Sequence, residues 1–514
     1  MDTEISCLMN RNTFLLVSIL LIAFFARMYR VTGSIADWHS WRQADTAAVT
    51  RNFDKLGFDP LRPRYDDLSN VQSGKDNPYG YRMVEFPLYN IVAYGVAKAG
   101  VPFGMSLELA HRLVSIAASL GSIVFLYAIV SKYVSRQAGL FTSFFYAIIP
   151  YSVYYSRVIL PEPLLVFCSL GMVWGFIKAN SNQQIANRNL YGVLSVLFGV
   201  AALLVKPVSI FYTVPIIYLW IRKKDYSLKS ILAFICFFIA ILTPLLFWRS
   251  WISQFPEGVP EWQWLLNGKG LELSGSLFSV KSFGAILSFM FGYDPDGIRY
   301  RPAFFRWILW ERIAKLILGY AGMLMLLAGS VTGIKKWRHN ILFIVWAAAM
   351  GLYVVVFAQG NVRHDYYQIS IIPVICMWMG IGADYIISLT HANVTRIVAY
   401  TSVGLITAGM VVLSWQQVQG YYWINNPGII EAGKAVDSLV PFDAKVIAPY
   451  GGDTAFLYQT NRQGWPVGFT IEDKVEKGAD YYVNTNVTDG ETKYVMEKYT
   501  PVVVNDRYVI VDLR

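Results

Sequence analysis

Asp45 lies in WRQADTAAVTRNF with Arg42 three residues before it and Arg51 six after, so a carboxylate and two cations share one helix-compatible stretch. Glu85 is the acid at the head of EFPLYNIVAYG, and YYSRVILPEPLL sets Arg157 five residues ahead of Glu162. Lys206 stands in LLVKPVS, and GNVRHDYYQIS gathers Arg363, His364, Asp365 and Tyr366. A carboxylate held near a substrate hydroxyl can accept its proton as a general base, and fixed cations can stabilise an anion as it forms. Each group also has an ordinary structural use. Arg42, Asp45 and Arg51 suit the solvated face of an amphipathic helix, Glu85 and Glu162 suit the first turn of a helix, and a lone base beside hydrocarbon can simply snorkel.

The elements that must position these groups are apolar helices. The 514 residues are 55% hydrophobic and 15% charged, which excludes an ordinary soluble chain and makes the bilayer its main solvent. With about 15 to 22 apolar residues per span, helices are expected near residues 12–30, 109–131, 138–155, 162–178, 190–205, 207–221, 228–249, 311–334, 340–358, 367–388 and 397–415. Alternate loops carry the basic clusters: Lys132 and Arg136; Lys178 and Arg188; Arg222, Lys223, Lys224 and Lys229; Lys335, Lys336 and Arg338; and Arg396. The positive-inside rule makes that side cytoplasmic, with the N-terminus there and the C-terminus outside. The net charge of +10 thus sets orientation and does not mark a nucleic-acid partner. Every candidate named above then falls on the external side. The segment 86–101 is apolar enough to span, but counting it would invert every later loop, so it is expected as an interfacial helix.

The membrane part is expected over residues 1–420, with a first external loop at about 31–108. Residues 421–514 change character, with β-prone pieces AKVIAPY, ADYYVNT and RYVIVDL separated by turns, and read as a small soluble α/β domain. Asp453, Tyr458, Arg462 and Trp465 are its polar and aromatic candidates, with structural support as the default. The chain has no internal repeat, P-loop or GxGxxG, so nucleotide binding has no support. Cys7, Cys168, Cys236 and Cys376 lie in or beside apolar runs at no metal-ligand spacing, suggesting neither disulfides nor zinc. Asp294 and Asp296 in YDPDG have a DxD-like spacing that suits a hard cation, yet Asp-Pro-Asp-Gly is also a strong turn sequence, so no metal site is assigned and no cofactor is expected. Trp251, Trp262, Trp264, Trp307 and Trp310 around that loop can stack on a sugar or anchor at the interface.

If Arg157, Lys206 and Arg363 converge on the outer face, they form an anion site at the headgroup level, which suggests a lipid phosphate. At this point the chain resembles the GT-C glycosyltransferases that use polyprenyl-phosphate sugars, notably protein O-mannosyltransferases and lipid A aminoarabinose transferases. The likeness rests on Asp45 after the first span, Glu85 in EFPLY, Arg157 to Pro163, and HDYYQISIIP before a late span. It departs in two places: Thr46 stands where the family often has a second acid, and Phe86 where some relatives carry a polar residue. The resemblance implies an α-helical polytopic fold of about eleven spans with juxtamembrane helices in the first loop. It also implies an inverting transfer of a monosaccharide from a polyprenyl-phosphate donor to a lipid, glycan or protein hydroxyl. Asp45 would be the base, with Glu85 and Glu162 orienting it or the substrates. Arg157, Lys206 and Arg363 would hold the phosphate, and Arg42, His364, Asp365 and Tyr366 would meet sugar or acceptor. The competing readings are a polymerase or ligase of lipid-linked oligosaccharides and a lipid-linked sugar flippase.

Overall fold

A computed structural model describes residues 2–181, 184–261, 297–390 and 393–514. The expected DxD pair, Asp294 and Asp296, and Trp262 and Trp264 lie outside them. Helix α1 (Asp2–Arg27) leads into a first loop that carries α2 (Ser40–Lys55) and α3 (Leu88–Gly100). The bundle continues through α4 (Leu107–Tyr133), α5 (Arg136–Ile148), α6 (Pro150–Tyr155), α7 (Glu162–Ser181), α8 (Ile185–Val205), α9 (Val214–Lys223) and α10 (Leu228–Ile252). Helices Trp337–Val356, Ile372–Ser388 and Asn393–Val418 complete it. Local signals set several starts: the Ser106, Ser135 and Ser227 side chains accept backbone N–H groups at the heads of α4, α5 and α10.

Among the described residues seven helices are long and apolar enough to cross a membrane. They coincide with seven of the expected spans. The other four expected spans are also helical. The first is covered by α1 up to Arg27, with residues 28–30 in the turn that follows, and three are broken. Residues 138–155 divide into α5 and α6 at Ile149, because Pro150 cannot donate to the preceding turn. Residues 207–221 run as a tight 3-10 segment, Pro207–Thr213, before α9. Residues 311–334 pass from a π-helical stretch, Trp307–Ile317, into helix Met323–Lys335 through Gly319 and Tyr320, both with positive φ. At 13 residues α3 is shorter than a span, and it lies against α2 and α4. Its Asn90 Nδ2 donates to Thr46 O (2.6 Å) and Thr50 Oγ1 (2.9 Å), which ties α2 down.

Helix Ile372–Ser388 is buried along most of its length between α5 and helix Met323–Lys335. The approach requires glycine: a Cβ on Gly329 would stand 1.9 Å from the Trp378 carbonyl oxygen, and one on Gly382 2.1 Å from that of Met325. The C-terminal sheet comprises β1 (Val446–Ile447), β2 (Gly464–Trp465), β3 (Tyr481–Asn484), β4 (Thr500–Val504) and β5 (Val509–Asp512), in the order β2-β1-β3-β5-β4. The β1 pairings are parallel and those of β5 antiparallel. The first loop joins this sheet: Asp67 bridges Gly464, with Leu68 N donating to Gly464 O and Gly464 N to Asp66 O.

Candidate active site

The carboxylate of Asp45 is buried on α2, because the small residues Ala44, Ala47 and Ala48 let neighbouring elements close around that helix. Its Oδ2 lies 2.8 Å from Arg82 Nη2, as an ion pair without hydrogen-bond geometry. Its Oδ1 accepts from Thr454 Oγ1 at 2.7 Å. One turn earlier on α2, Arg42 pairs with Glu85, which the first loop brings back beside α3. Burial raises the Glu85 pKa, but Arg42, Lys206 and Arg82 together outweigh it and hold the carboxyl below its usual range.

Lys206, in the turn that ends α8, pairs with Glu162 at the head of α7. Its ammonium also lies 5.4 Å and 4.9 Å from the ring centres of Tyr366 and Tyr367. Arg42 feels Tyr366, Glu162 and Asp45 as well as Glu85. Six of the predicted residues, Arg42, Asp45, Glu85, Glu162, Lys206 and Tyr366, therefore form one network drawn from the first loop and three helical segments. In it Asp45 Oδ2, Glu85 Oε2 and Glu162 Oε2 are all buried and lack a hydrogen bond.

The three bases expected on one anion are distributed differently. Arg157 Nη2 pairs with Asp37 at 2.8 Å, Nη1 donates to Arg30 O at 2.6 Å, and the guanidinium lies 4.7 Å from the Tyr422 ring centre. It is thus fixed in a neighbouring cluster, because burial demands a counter-charge. Arg363 is exposed at the end of helix Ala358–Arg363, next to His364. The His364 ring packs 5.7 Å from those of His39 and Trp41 and 5.5 Å from Tyr366. Burial first, then His39, pushes its pKa down to about 4, so it is a neutral ring at physiological pH.

Asp365 is a second centre. It accepts from His39 Nε2 (2.6 Å), Tyr155 Oη (2.5 Å), Tyr421 Oη and Trp38 Nε1, and Arg312 Nη1 lies 3.8 Å away. The residue preceding α2, His39, takes a left-handed conformation (φ 54°, ψ 37°) to reach it. Sequence reasoning did not name Arg82, Thr454, His39, Trp38, Tyr421, Arg312 or Asp37 as site residues. Arg82 stands three residues before Glu85 and Asp37 in the IADWHS segment, which is a faint signal. Thr454 has none.

Among the described residues no group of three or more His, Cys, Asp or Glu is arranged to hold a metal ion. The apolar bundle, the helical first loop and the small mixed sheet bound to it define a GT-C fold, and the network sits where that loop meets the bundle. Residues 92–248 match the sequence model of the dolichyl-phosphate-mannose-protein mannosyltransferases. A crystal structure of ArnT from Cupriavidus metallidurans bound to undecaprenyl phosphate aligns with a TM-score of 0.61 at 14% identity, covering 97% of each chain. The Archaeoglobus fulgidus oligosaccharyltransferase in complex with zinc and sulfate aligns at 0.58 and 12% identity, over 94% of this chain and 69% of that one. The archaeal oligosaccharyltransferase AglB, in complex with an inhibitory peptide and a dolichol-phosphate, aligns at 0.58 and 11% identity, over 92% and 69%. No curated protein gives a significant match. The family match thus covers residues 92–248, less than half of the chain, and the chain as a whole shares the fold of these GT-C structures.

Proposed function

We propose that the protein is an inverting glycosyltransferase that moves a monosaccharide from a polyprenyl-phosphate donor to an acceptor hydroxyl on the extracytoplasmic side of the plasma (inner) membrane. The observation that carries this reading is Asp45, a buried carboxylate whose second oxygen has no hydrogen bond, inside a network of cations. The acceptor oxygen attacks the anomeric carbon, and its proton passes to Asp45. The bond from that carbon to the phosphate oxygen breaks, and the polyprenyl phosphate leaves as an anion. A phosphate leaves without a strong general acid, so the enzyme's task is to stabilise its charge.

Lys206 is the first choice for that task, since it sits in the network, with the exposed Arg363 as the second. Arg157 serves the same reading only by sharing its charge with Asp37. Glu85 and Glu162 orient the cations Arg42 and Lys206, and Tyr366 and His364 offer ring faces to the sugar or acceptor. The binding of undecaprenyl phosphate by ArnT and of a dolichol-phosphate by AglB supports a lipid-phosphate donor here. The side assignment rests on the basic loops. No metal takes part in the proposed step.

The test is transfer of labelled sugar from a panel of polyprenyl-monophosphate sugars by purified protein in lipid, with crude envelope as acceptor. Asp45→Asn should fold and lose about 10²- to 10⁴-fold in rate. Equal activity in that variant overturns the mechanism. Consumption of a diphosphate-linked donor alone moves the chain to the oligosaccharide polymerases or ligases, and movement of donor without transfer makes it a flippase.

A further inference from the structure

We infer that the C-terminal domain completes the active site, with Thr454 as the positioning residue that aims the carboxylate of Asp45. This rests on the reading of Asp45 as the base.

The two residues are 409 positions apart, yet Thr454 Oγ1 lies 2.7 Å from Asp45 Oδ1. The same hydroxyl is 3.1 Å from Trp41 O, and with one proton it donates to one acceptor at a time. A carboxylate is the stronger acceptor and is here the nearer one. The residue is buried, so water does not substitute for the hydroxyl.

What brings it there is an interface built along one face of α2. Ala44, Ala47 and Ala48 share a core with Ala455, Phe456, Leu457 and Tyr458. Around that core Arg51 Nη1 donates to Tyr458 O (2.9 Å) with its guanidinium 4.0 Å from the Tyr458 ring centre. Lys55 Nζ donates to Asn461 O (2.7 Å), and Gln459 Nε2 to Ile35 O (2.9 Å). The backbone that carries Thr454 is itself pinned, because Asp453 Oδ1 accepts from Ala455 N at 2.7 Å. Removal of any one contact leaves the others holding the domain in place, so the hydroxyl can be tested alone.

A donor to a charged carboxylate stabilises the ionised form, so its loss raises the pKa of that carboxylate. The charged or titratable groups facing Asp45 are Arg42 on its own helix, Tyr65, Asp67 and Arg82 from the first loop, and Asp453 from the C-terminal domain. All of them remain in a Thr454→Val variant, so a change in the pH profile reports the lost hydroxyl.

The experiment compares full-length wild type, Thr454→Val and Thr454→Ser in lipid, with kcat measured against pH and thermal unfolding measured alongside. The expected result for Thr454→Val is a kcat lower by about tenfold with donor KM unchanged, and an acid limb of kcat moved up by about one pH unit, the equivalent of one hydrogen bond to a charged group. Thr454→Ser restores both. In an Asp45→Asn background, adding Thr454→Val should have no further effect. Wild-type kcat and pH limb in Thr454→Val overturn the inference, as does a Thr454→Ser variant no better than valine, which would make the residue a packing element. If Asp45→Asn itself retains full activity, the general-base reading falls first and this inference with it.

Discussion

Two buried carboxylates in the same upper region of the bundle are held in opposite ways. Asp365 has hydrogen-bond donors on both oxygens from His39, Trp38, Tyr155 and Tyr421, and its own backbone oxygen accepts from Tyr151 Oη at 2.5 Å. Asp45 has one hydrogen bond and one ion pair, and the neighbouring Glu85 and Glu162 each keep one oxygen without a hydrogen bond. The protein's own donors hold both oxygens of Asp365, whereas in the other three carboxylates one oxygen is held by charge rather than by a hydrogen bond of the chain. Asp365 joins the first loop, α6, the end of the last membrane helix and the stretch at Arg312, which is the work of a fastener. The Asp45 network is held mainly by ion pairs with Arg42, Arg82 and Lys206, and it is the one proposed above as the site.

The comparison predicts crossed outcomes, and the largest separates the two aspartates directly. Asp45→Asn should lose about 10²- to 10⁴-fold in transfer rate with little change in thermal unfolding. Asp365→Asn should do the reverse, because each hydrogen bond to a charged group contributes about 1.5 to 3 kcal/mol. The measurement is kcat and unfolding midpoint on both proteins, and equal profiles would erase the distinction. Next in size is Lys206→Met. It strands the Glu162 carboxylate without its counter-charge, and breaking a buried pair in this way costs about 3 to 5 kcal/mol. Glu162→Gln added to Lys206→Met should recover much of that stability while leaving donor KM raised. Recovery of KM as well would remove Lys206 from donor binding. Smaller again is Tyr421→Phe, which takes one donor from Asp365. A loss of about 1.5 to 3 kcal/mol in unfolding free energy, with kcat unchanged, is expected.

The division between fastener and site was only half legible in the sequence. Hydropathy located the helices because every span must bury about 20 apolar residues, and the signal is summed over the whole segment. It did not show that residues 138–155 break at Pro150 or that residues 311–334 turn through Gly319 and Tyr320, since single-residue backbone effects vanish in such a sum. The acids and bases were likewise visible one at a time. Their partners lie far along the chain: Glu85 is 43 residues from Arg42, Lys206 is 44 from Glu162, and Arg157 is 120 from Asp37. Spacing therefore showed which groups were unusual and not which would meet. Thr454 was the least legible residue, because a threonine in a soluble tail differs from its neighbours only through what the fold sets against it.

The smallest effect tests whether the Asp45 network extends into that tail. Asp453 belongs to the C-terminal domain, and its Oδ2 accepts from Ser40 Oγ at 3.4 Å at the start of α2. Burial, with Asp45 adding, pushes its pKa up from 3.8 to about 6. Asp67, behind Arg82, is raised to about 6, again by burial with Asp45 adding. For a carboxylate raised on folding, the protonated form binds its proton more tightly in the native state. The stabilisation is fully present below about pH 4 and is lost as pH rises through about 6, the reverse of a salt-bridged aspartate. Asp453→Asn and Asp67→Asn should therefore each flatten the decline of unfolding free energy between about pH 4 and pH 6. Asp365→Asn should leave that slope in place. If the two raised carboxylates titrate independently, their effects add. A double variant that falls short of the sum would show that the two carboxylates titrate as a coupled pair, and that the loop and the tail form one electrostatic unit.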